Sequence, residues 1–303
     1  MTYLKRQSFA MSGLILALAT LGNLLQSYGT GLRLVLGAFA WILFILYTVN
    51  LFLSFSSLKE EMQAPLPASV FPTYPMALMI LSTYLNPLLK LPLGLAEGIW
   101  YFALIFNLLL AGLYIIRYLP QRKMTVVFPS WGVIFVGFVV ASVTAPVYGN
   151  FLLGQILFWL GLLGGVAVMP FMLYRVYIMR DLPKPAQMTT AILCAPFSLL
   201  VAGYVNSFKT PSQALLAFLL ILAQLLYFTV LAQLPRLLRL GFFPTSAGLT
   251  FPLVVSALSL KLALPVLGWQ LAGTNLLLLV ETVLAIGIVA YVLYGYAKLI
   301  FKS

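Results

Sequence analysis

Long apolar runs, separated by short polar segments, fill almost the whole chain. A helix that crosses a bilayer needs about 20 consecutive apolar residues, and runs near this length recur from one end of the sequence to the other. The pattern predicts ten transmembrane helices, at about 9–25, 34–55, 68–84, 95–116, 129–147, 151–174, 189–205, 214–234, 243–267 and 275–301. Since no segment between them is long enough for a soluble domain, we predict one transmembrane domain over residues 1–303.

The odd-numbered and even-numbered spans differ in what interrupts their apolar runs. Odd spans begin about 60 residues apart, the length of one helical hairpin with its loops, so the spans are predicted to form five hairpins. Even spans are uniformly apolar, as in residues 100–106 and 215–222. Odd spans carry small hydroxyl residues, prolines and glycines, namely Thr73, Ser130, Ser198, Thr250, Ser256, Pro72, Pro75, Gly132, Gly137, Pro196 and Pro252.

This alternation predicts which helices face lipid. A uniform apolar surface suits lipid, whereas small and polar residues suit a protein interior or an aqueous lumen. We therefore predict a quasi-five-fold arrangement, in which five odd helices form an inner ring around a central pore and five even helices surround them. The same small residues can also serve close helix packing without any lumen.

Phe251 and Pro252 lie near the middle of the apolar run 241–267. A proline inside a helix removes one backbone hydrogen bond and costs about 3 kcal/mol. Broken backbone at membrane depth is tolerated only where it is buried in protein or lines a wet cavity. Both residues are therefore predicted to face the interior path.

Composition fixes the class of protein and narrows its chemistry. Apolar residues make up 63% of the 303 residues and charged residues 7%, and the mean hydropathy is +1.09. These values indicate a polytopic membrane protein. The sequence has no histidine and one cysteine, Cys194, inside an apolar run. Because the usual general base and metal ligands are lacking, we predict no catalytic residue, no metal, no cofactor and no enzyme activity.

Lysine and arginine collect on one predicted side of the membrane, and this bias sets the orientation. The opposite side has Arg33, Lys90 and Lys209. We predict that both termini are cytoplasmic, and we interpret the basic loops as topology signals and contacts to anionic lipid rather than as a nucleic-acid site. The basic residues on the predicted cytoplasmic side are Lys5, Arg6, Lys59, Arg117, Arg122, Lys123, Arg175, Arg180, Lys184, Arg236, Arg239, Lys298 and Lys302.

Acidic residues are too few to line a cation path. Cation channels usually have rings of carboxylates, but only Glu97 and Glu281 lie within spans, toward their outer ends. With a net charge of +12, basic residues at the mouths of a path bias its field toward anions. Such a path is expected to pass large, weakly hydrated anions most easily.

Lys261 and Glu281 are ionisable groups inside the ninth and tenth spans, and such groups are functional candidates. Folding these spans as a hairpin about Trp269 places the two residues within about 6 Å in depth. Two readings stay open: an ion pair that locks the hairpin, or a lysine that attracts anions to an outer vestibule.

Several short motifs, in order and at matching helix positions, resemble the tellurite-resistance/dicarboxylate transporter family. That family includes bacterial TehA, fungal malate and sulfite exporters and the slow anion channels of plant guard cells. The motifs are Ser12-Gly13-Leu14 with Ala17-Leu18-Ala19, Phe71-Pro72-Thr73, Ala195-Pro196 with Ala202-Gly203-Tyr204, and Thr250-Phe251-Pro252.

The resemblance implies ten helices in quasi-five-fold symmetry, a pore through each subunit, three subunits per assembly and a bacterial inner-membrane location. It implies that Phe251 is the phenylalanine that closes the pore, and that Pro196 and Pro252 match kinks of inner helices. Where the family often has kink prolines in the first and fifth spans, this chain has Leu14 and Ile134, with Gly13, Gly132 and Gly137 nearby.

Two functions fit these features. The first is a channel for small monovalent anions such as chloride, gated by Phe251. The second is a proton-coupled exporter of dicarboxylates or oxyanions such as malate, sulfite or tellurite, for which Glu281 or Glu97 would carry the proton. A purely structural membrane protein would show no flux at all.

Overall fold

The computed structural model describes residues 9–301, and this part is built from helices without β-strands. Lys5, Arg6 and Lys302, which contribute to the predicted orientation, lie outside the described residues. The α-helices are α1 Met11–Leu25, α2 Thr30–Leu53, α3 Phe55–Glu61, α4 Pro65–Val70, α5 Thr73–Ser82, α6 Leu85–Leu89, α7 Leu93–Tyr118, α8 Trp131–Val136, α9 Val140–Thr144, α10 Phe151–Leu173, α11 Lys184–Gln187, α12 Ala195–Ser207, α13 Gln213–Arg239, α14 Thr250–Leu267 and α15 Ala272–Phe301.

Eight helical segments in the described range are long and apolar enough to cross a membrane. They are Thr30–Leu53, Leu93–Gln121, Trp131–Tyr148, Phe151–Met179, Lys184–Ser207, Gln213–Arg239, Pro244–Leu267 and Ala272–Phe301. Helix α1 is shorter, with 15 residues, and is buried over almost its whole length. Helices α4 and α5 are also short and follow one another directly. The prediction of an all-helical membrane protein is therefore confirmed.

Burial separates the long helices into two groups. In α2, α7, α10, α13 and α15, between 28% and 39% of the most apolar stretch is buried. In the ranges Trp131–Tyr148, Lys184–Ser207 and Pro244–Leu267 the buried share is 67%, 94% and 78%. The first group therefore presents most of its apolar side chains outward, and the second group forms the interior.

The interior helices pack in a closed cycle. Helix α1 contacts α5, α5 contacts α9, α9 contacts α12, α12 contacts α14, and α14 returns to α1. The outer helices lie against this cycle: α2 on α1, α7 on α5, α10 on α9 and α12, α13 on α12 and α14, and α15 on α14.

Two interior segments change from 3₁₀-helix to α-helix shortly before a proline. A 3₁₀ stretch over Met188–Cys194 precedes α12, and another over Pro244–Leu249 precedes α14. Pro196 and Pro252 are therefore the second and third residues of α-helices. The first N–H groups of a helix need no intrahelical acceptor, so proline is tolerated there. The expected mid-helix cost at Pro252 is thus avoided.

Prolines are not confined to the interior segments. Pro170 lies inside α10 and Pro235 inside α13, each near the C-terminal end of its helix. A π-helical turn, Tyr174–Met179, follows α10 directly. The expected segregation of prolines into odd spans is therefore incomplete.

Candidate functional site

A narrow cavity of ≈ 40 Å³ lies where the interior α-helices begin. A volume of this size holds only a few water molecules. All five odd-numbered segments contribute side chains, and none of these side chains is charged. The lining residues are Ala10, Gly13, Val70, Thr73, Met76, Gly132, Val133, Gly137, Thr189, Ile192, Ala195, Pro196, Leu199, Thr245, Ala247, Gly248, Phe251 and Pro252.

Phe251 is the largest side chain on this lining and is only 6% exposed. It is the second residue of α14, directly after the 3₁₀ stretch that contributes Ala247 and Gly248. Thr250 anchors this point, because its hydroxyl donates to the carbonyl of Ala247 at 2.7 Å and lies 3.3 Å from the carbonyl of Gly13. The ring therefore occupies a cavity whose wall is hydrogen-bonded to the neighbouring helix.

Hydroxyl groups join neighbouring interior helices more often than they line the cavity. Ser12 and Thr73 share a hydrogen bond with 2.6 Å between their oxygens, and Ser69 and Ser130 do the same at 2.6 Å. Ser198 bonds back to the carbonyl of Cys194.

The lining of the cavity therefore differs from the lumen expected from the sequence. Among the odd-span hydroxyls named there, only Thr73 lies on the lining, whereas Ser130, Ser198, Thr250 and Ser256 do not. The other lining hydroxyls are those of Thr189 and Thr245.

The predicted glycines serve close packing as well as the cavity wall. A Cβ on Gly132 would lie 2.9 Å from Cγ of Pro196, and one on Gly137 would lie 2.7 Å from Sδ of Met76. At Gly13 the nearest atom would be the carbonyl oxygen of Ala247, at 3.5 Å. These glycines let the interior segments approach one another around the cavity.

Pro72 and Pro75 lie at the junction of α4 and α5, and neither belongs to the cavity lining. The carbonyl of Pro72 accepts a hydrogen bond of 3.0 Å from the side-chain amide of Asn107 on α7. Sequence reasoning missed Asn107, although a lone asparagine within an apolar even span is a usable signal. It also missed Ala10, Val70, Met76 and Ile192 on the lining, because small and aliphatic residues look alike on every interior helix.

Of the two readings left open for Lys261 and Glu281, the ion pair is not formed. Across residues 9–301 the only ion pair joins Arg175 and Asp181. Lys261 instead donates to the carbonyl of Leu24 at 2.6 Å and lies 3.5 Å from that of Asn23. These carbonyls end α1, where a helix attracts cations. Lys261 and Glu281 were predicted to lie at similar depths in the membrane. Their side chains point in different directions, because Lys261 contacts the end of α1 and Glu281 lies beside Gln224 on α13.

Glu281 is fully buried, and neither carboxylate oxygen has a hydrogen-bond partner among the described residues. The polar side chains of Gln224 and Ser256 lie beside it, and they also lack hydrogen bonds within the described range. The other acidic candidate, Glu97, accepts a hydrogen bond of 2.8 Å from Asn150, just before α10. Of the two carboxylates in the spans, Glu281 is therefore the unpartnered one.

The outer helices expose many apolar side chains, and the interior helices surround an uncharged cavity. These features are typical of a polytopic helical membrane protein. The family model described as SLAC1, voltage-dependent anion channel, matches residues 7–297. The chain belongs to this family, and the resemblance found in the sequence motifs is confirmed. No curated protein matches the chain.

Proposed function

We propose that the protein is a channel for small monovalent anions such as chloride, with a pore lined by the odd-numbered helices and closed by Phe251. The observation that carries this proposal is the cavity to which all five odd segments contribute and in which the Phe251 ring lies. Membership of an anion-channel family supports the substrate class.

We propose ten membrane spans in a quasi-five-fold arrangement within one transmembrane domain, residues 1–303. The closed cycle of α1, α5, α9, α12 and α14, with a long apolar helix outside each contact, supports this arrangement. In this scheme α1 is the first span and α4 with α5 the third, in addition to the eight long segments.

In the proposed pore, anion selectivity does not depend on a charged side chain that binds the ion. The cavity wall has no lysine, arginine or carboxylate, so it offers no strong site for any ion. Basic residues elsewhere in the chain bias the field toward anions, and the apolar wall favours ions that lose water easily.

The decisive experiment is Phe251→Ala in planar bilayers, with currents recorded in chloride, nitrate and malate. Removing the ring opens the narrowest part of the path, so we expect anion current to rise at least about tenfold, equivalent to removing a barrier of about 1.4 kcal/mol. Phe218→Ala is the matched control, because that ring is 62% exposed on the outward surface of α13.

Equal currents in the parent protein and Phe251→Ala would remove Phe251 from the gate. A rise of the same size in Phe218→Ala would show that loss of any phenylalanine disturbs the bundle. Neither result is expected, because only Phe251 lies on the cavity.

The second candidate function is proton-coupled export of dicarboxylates or oxyanions such as malate, sulfite or tellurite. The unpartnered, fully buried Glu281 favours it, because intramembrane carboxylates often carry protons in transporters. A reversal potential measured across a pH gradient separates the two functions: a channel follows the anion gradient alone, whereas a coupled exporter also follows the proton gradient.

We further propose a homotrimer in the bacterial inner membrane, surrounded by lipid, with both termini cytoplasmic. Exposed apolar side chains on the outer helices supply surface for lipid and for neighbouring subunits. The concentration of lysine and arginine at one end of the spans supports the orientation.

A further inference from the structure

A second cavity, of ≈ 290 Å³, lies between the ends of α10 and α13 and the 3₁₀ stretch Met188–Cys194. It lies outside the cycle of interior helices, at the end of the spans where most lysines and arginines occur. Its polar wall consists of Tyr177, Arg180, Gln187, Thr190, Gln233 and Arg236. Since both arginines belong to one pocket, the pocket is strongly basic.

The charges of Arg180 and Arg236 are not neutralised by carboxylates. Asp181 is next in sequence to Arg180, but it pairs with Arg175 at 3.2 Å, and this is the only ion pair among the described residues. Arg180 uses Nε to donate to the carbonyl of Tyr177 at 2.8 Å, and the guanidinium of Arg236 makes no hydrogen bond within the described range. Guanidinium N–H groups therefore remain available to an anion in the cavity.

The backbone that borders the pocket departs from regular α-helix. The π-helical turn Tyr174–Met179 contains Tyr177 and ends at Arg180, whose φ of 54° is left-handed. Such π turns occur frequently at functional sites. Gln233 on α13 donates to the hydroxyl of Tyr177 at 2.7 Å, which joins the two walls of the pocket.

We propose that this pocket binds an anionic phosphate group, as carried by the headgroup of an acidic phospholipid. The guanidinium group of an arginine can donate two parallel hydrogen bonds to the oxygens of a phosphate group. Two arginines, Arg180 and Arg236, border the same cavity. Basic pockets between membrane helices bind acidic lipid headgroups. Exposed side chains nearby on α10, its π turn and α13, including Phe171, Ile178 and Phe228, offer an apolar surface to acyl chains.

The test uses the purified full-length protein and measures ligand binding by native mass spectrometry and by thermal unfolding. The ligands are phosphatidylglycerol, phosphatidylcholine and inorganic phosphate, each added separately. Phosphatidylglycerol is expected to bind and to raise the unfolding temperature. Phosphatidylcholine is expected to have no such effect, because its ammonium group offsets the phosphate charge.

The test variant is Arg180→Gln with Arg236→Gln, and Arg239→Gln is the matched control. Arg239 is on the same helix end but does not line the pocket. Losing charged hydrogen bonds should weaken phosphatidylglycerol binding by about tenfold or more in the double variant and leave it unchanged in the control. Arg236→Gln alone, at an exposed position, gives the same readout if the double variant does not fold.

Inorganic phosphate that produced the same arginine-dependent shift would support the phosphate site and assign it to a soluble ligand. Binding seen only with phosphatidylglycerol would support it and assign it to lipid. The proposal is overturned if neither ligand binds, if phosphatidylcholine binds equally well, or if binding is the same in the parent protein and the arginine variants. These results are independent of ion conduction.

Discussion

Phe251 owes its place at the cavity to the residue that follows it. Pro252 lacks a backbone N–H and is the third residue of α14, where no intrahelical acceptor is required. This position makes Phe251 the second residue of the helix, immediately beyond the 3₁₀ stretch and on the cavity wall. The sequence predicted that these two residues face the interior, because proline inside an apolar run needs a protein environment.

The hydrogen-bond and ion-pair partners of individual side chains were harder to predict than the depth of those side chains in the membrane. One of the two readings of Lys261 and Glu281, the ion pair, does not occur in the structure. Sequence separation gives depth along a hairpin but not direction around each helix. Lys261 reaches the carbonyl end of α1, 237 positions away in sequence, which periodicity alone does not indicate. Glu281 remains without a hydrogen bond among the described residues.

Replacing Glu281 by glutamine is predicted to leave the unfolding temperature unchanged or to raise it. A charged carboxylate is costly to bury, whereas an amide of the same shape carries no charge and can donate to Gln224 or Ser256 as well as accept from them. Thermal unfolding in detergent measures the effect, and Glu60→Gln, at an exposed position, is the control.

The same variant separates the two candidate functions. Anion current through a channel should survive Glu281→Gln, because the carboxylate is not part of the cavity lining. Loss of flux, together with loss of its dependence on a pH gradient, would instead identify Glu281 as a proton carrier. A strong fall in unfolding temperature would contradict the stability argument.

Among the helices, the alternation of uniform and interrupted apolar runs was sufficient to predict burial. The most apolar stretch of Lys184–Ser207 is 94% buried and that of Thr30–Leu53 only 28%. The 3₁₀ stretches were not predictable, because their residues fit an α-helix equally well. A 3₁₀-helix differs from an α-helix in its backbone hydrogen bonds. Over a stretch of six or seven residues, the spacing of apolar residues is too similar in the two helix types to tell them apart.

Close contact between α10 and α8 depends on Gly164. A Cβ at this position would lie 2.5 Å from the carbonyl oxygen of Phe135, which is backbone and has little freedom to move. Gly164→Ala is therefore predicted to lower the free energy of unfolding by about 1–3 kcal/mol. Thermal or denaturant unfolding in detergent measures the loss.

Gly112→Ala is the matched control for this prediction. Gly112 lies inside α7, and no heavy atom comes within 4 Å of a Cβ built there. Alanine favours helix over glycine by up to about 1 kcal/mol, so this variant should be neutral or slightly more stable. Equal losses in both variants would show that the contact with Phe135 is not the cause.

For the whole molecule, the sequence was sufficient to predict the class and the family, and it was less informative about which side chains line the internal cavity. The length and number of spans, together with several short motifs in order along the chain, indicated a membrane protein of this family, and the match over residues 7–297 confirmed it. The sequence predicted a lumen lined by hydroxyl groups, but the wall of the observed cavity is mostly apolar. The hydroxyl groups of Ser12, Ser69 and Ser130 form hydrogen bonds between neighbouring helices instead.

The apolar wall predicts an order of anion permeability. With no charged side chain to compensate lost water, ease of dehydration should set the order, so iodide and nitrate should exceed chloride, and chloride should exceed fluoride. Bi-ionic reversal potentials measured in Phe251→Ala, where we expect the largest current, give the permeability ratios. Permeabilities that do not follow hydration would contradict an uncharged path and would require a binding site for specific anions.

The hydroxyl bonds between the interior segments constrain how such a path widens. Ser12 with Thr73, Ser69 with Ser130, and Thr250 with Gly13 connect adjacent helices near the cavity. A widening that moved the interior helices apart would break several of these bonds at once, in surroundings with few water molecules to replace them. Rotation of the Phe251 side chain about its own torsions breaks none of them. In the proposed channel, we therefore expect the Phe251 side chain to move while the surrounding interior helices keep their positions.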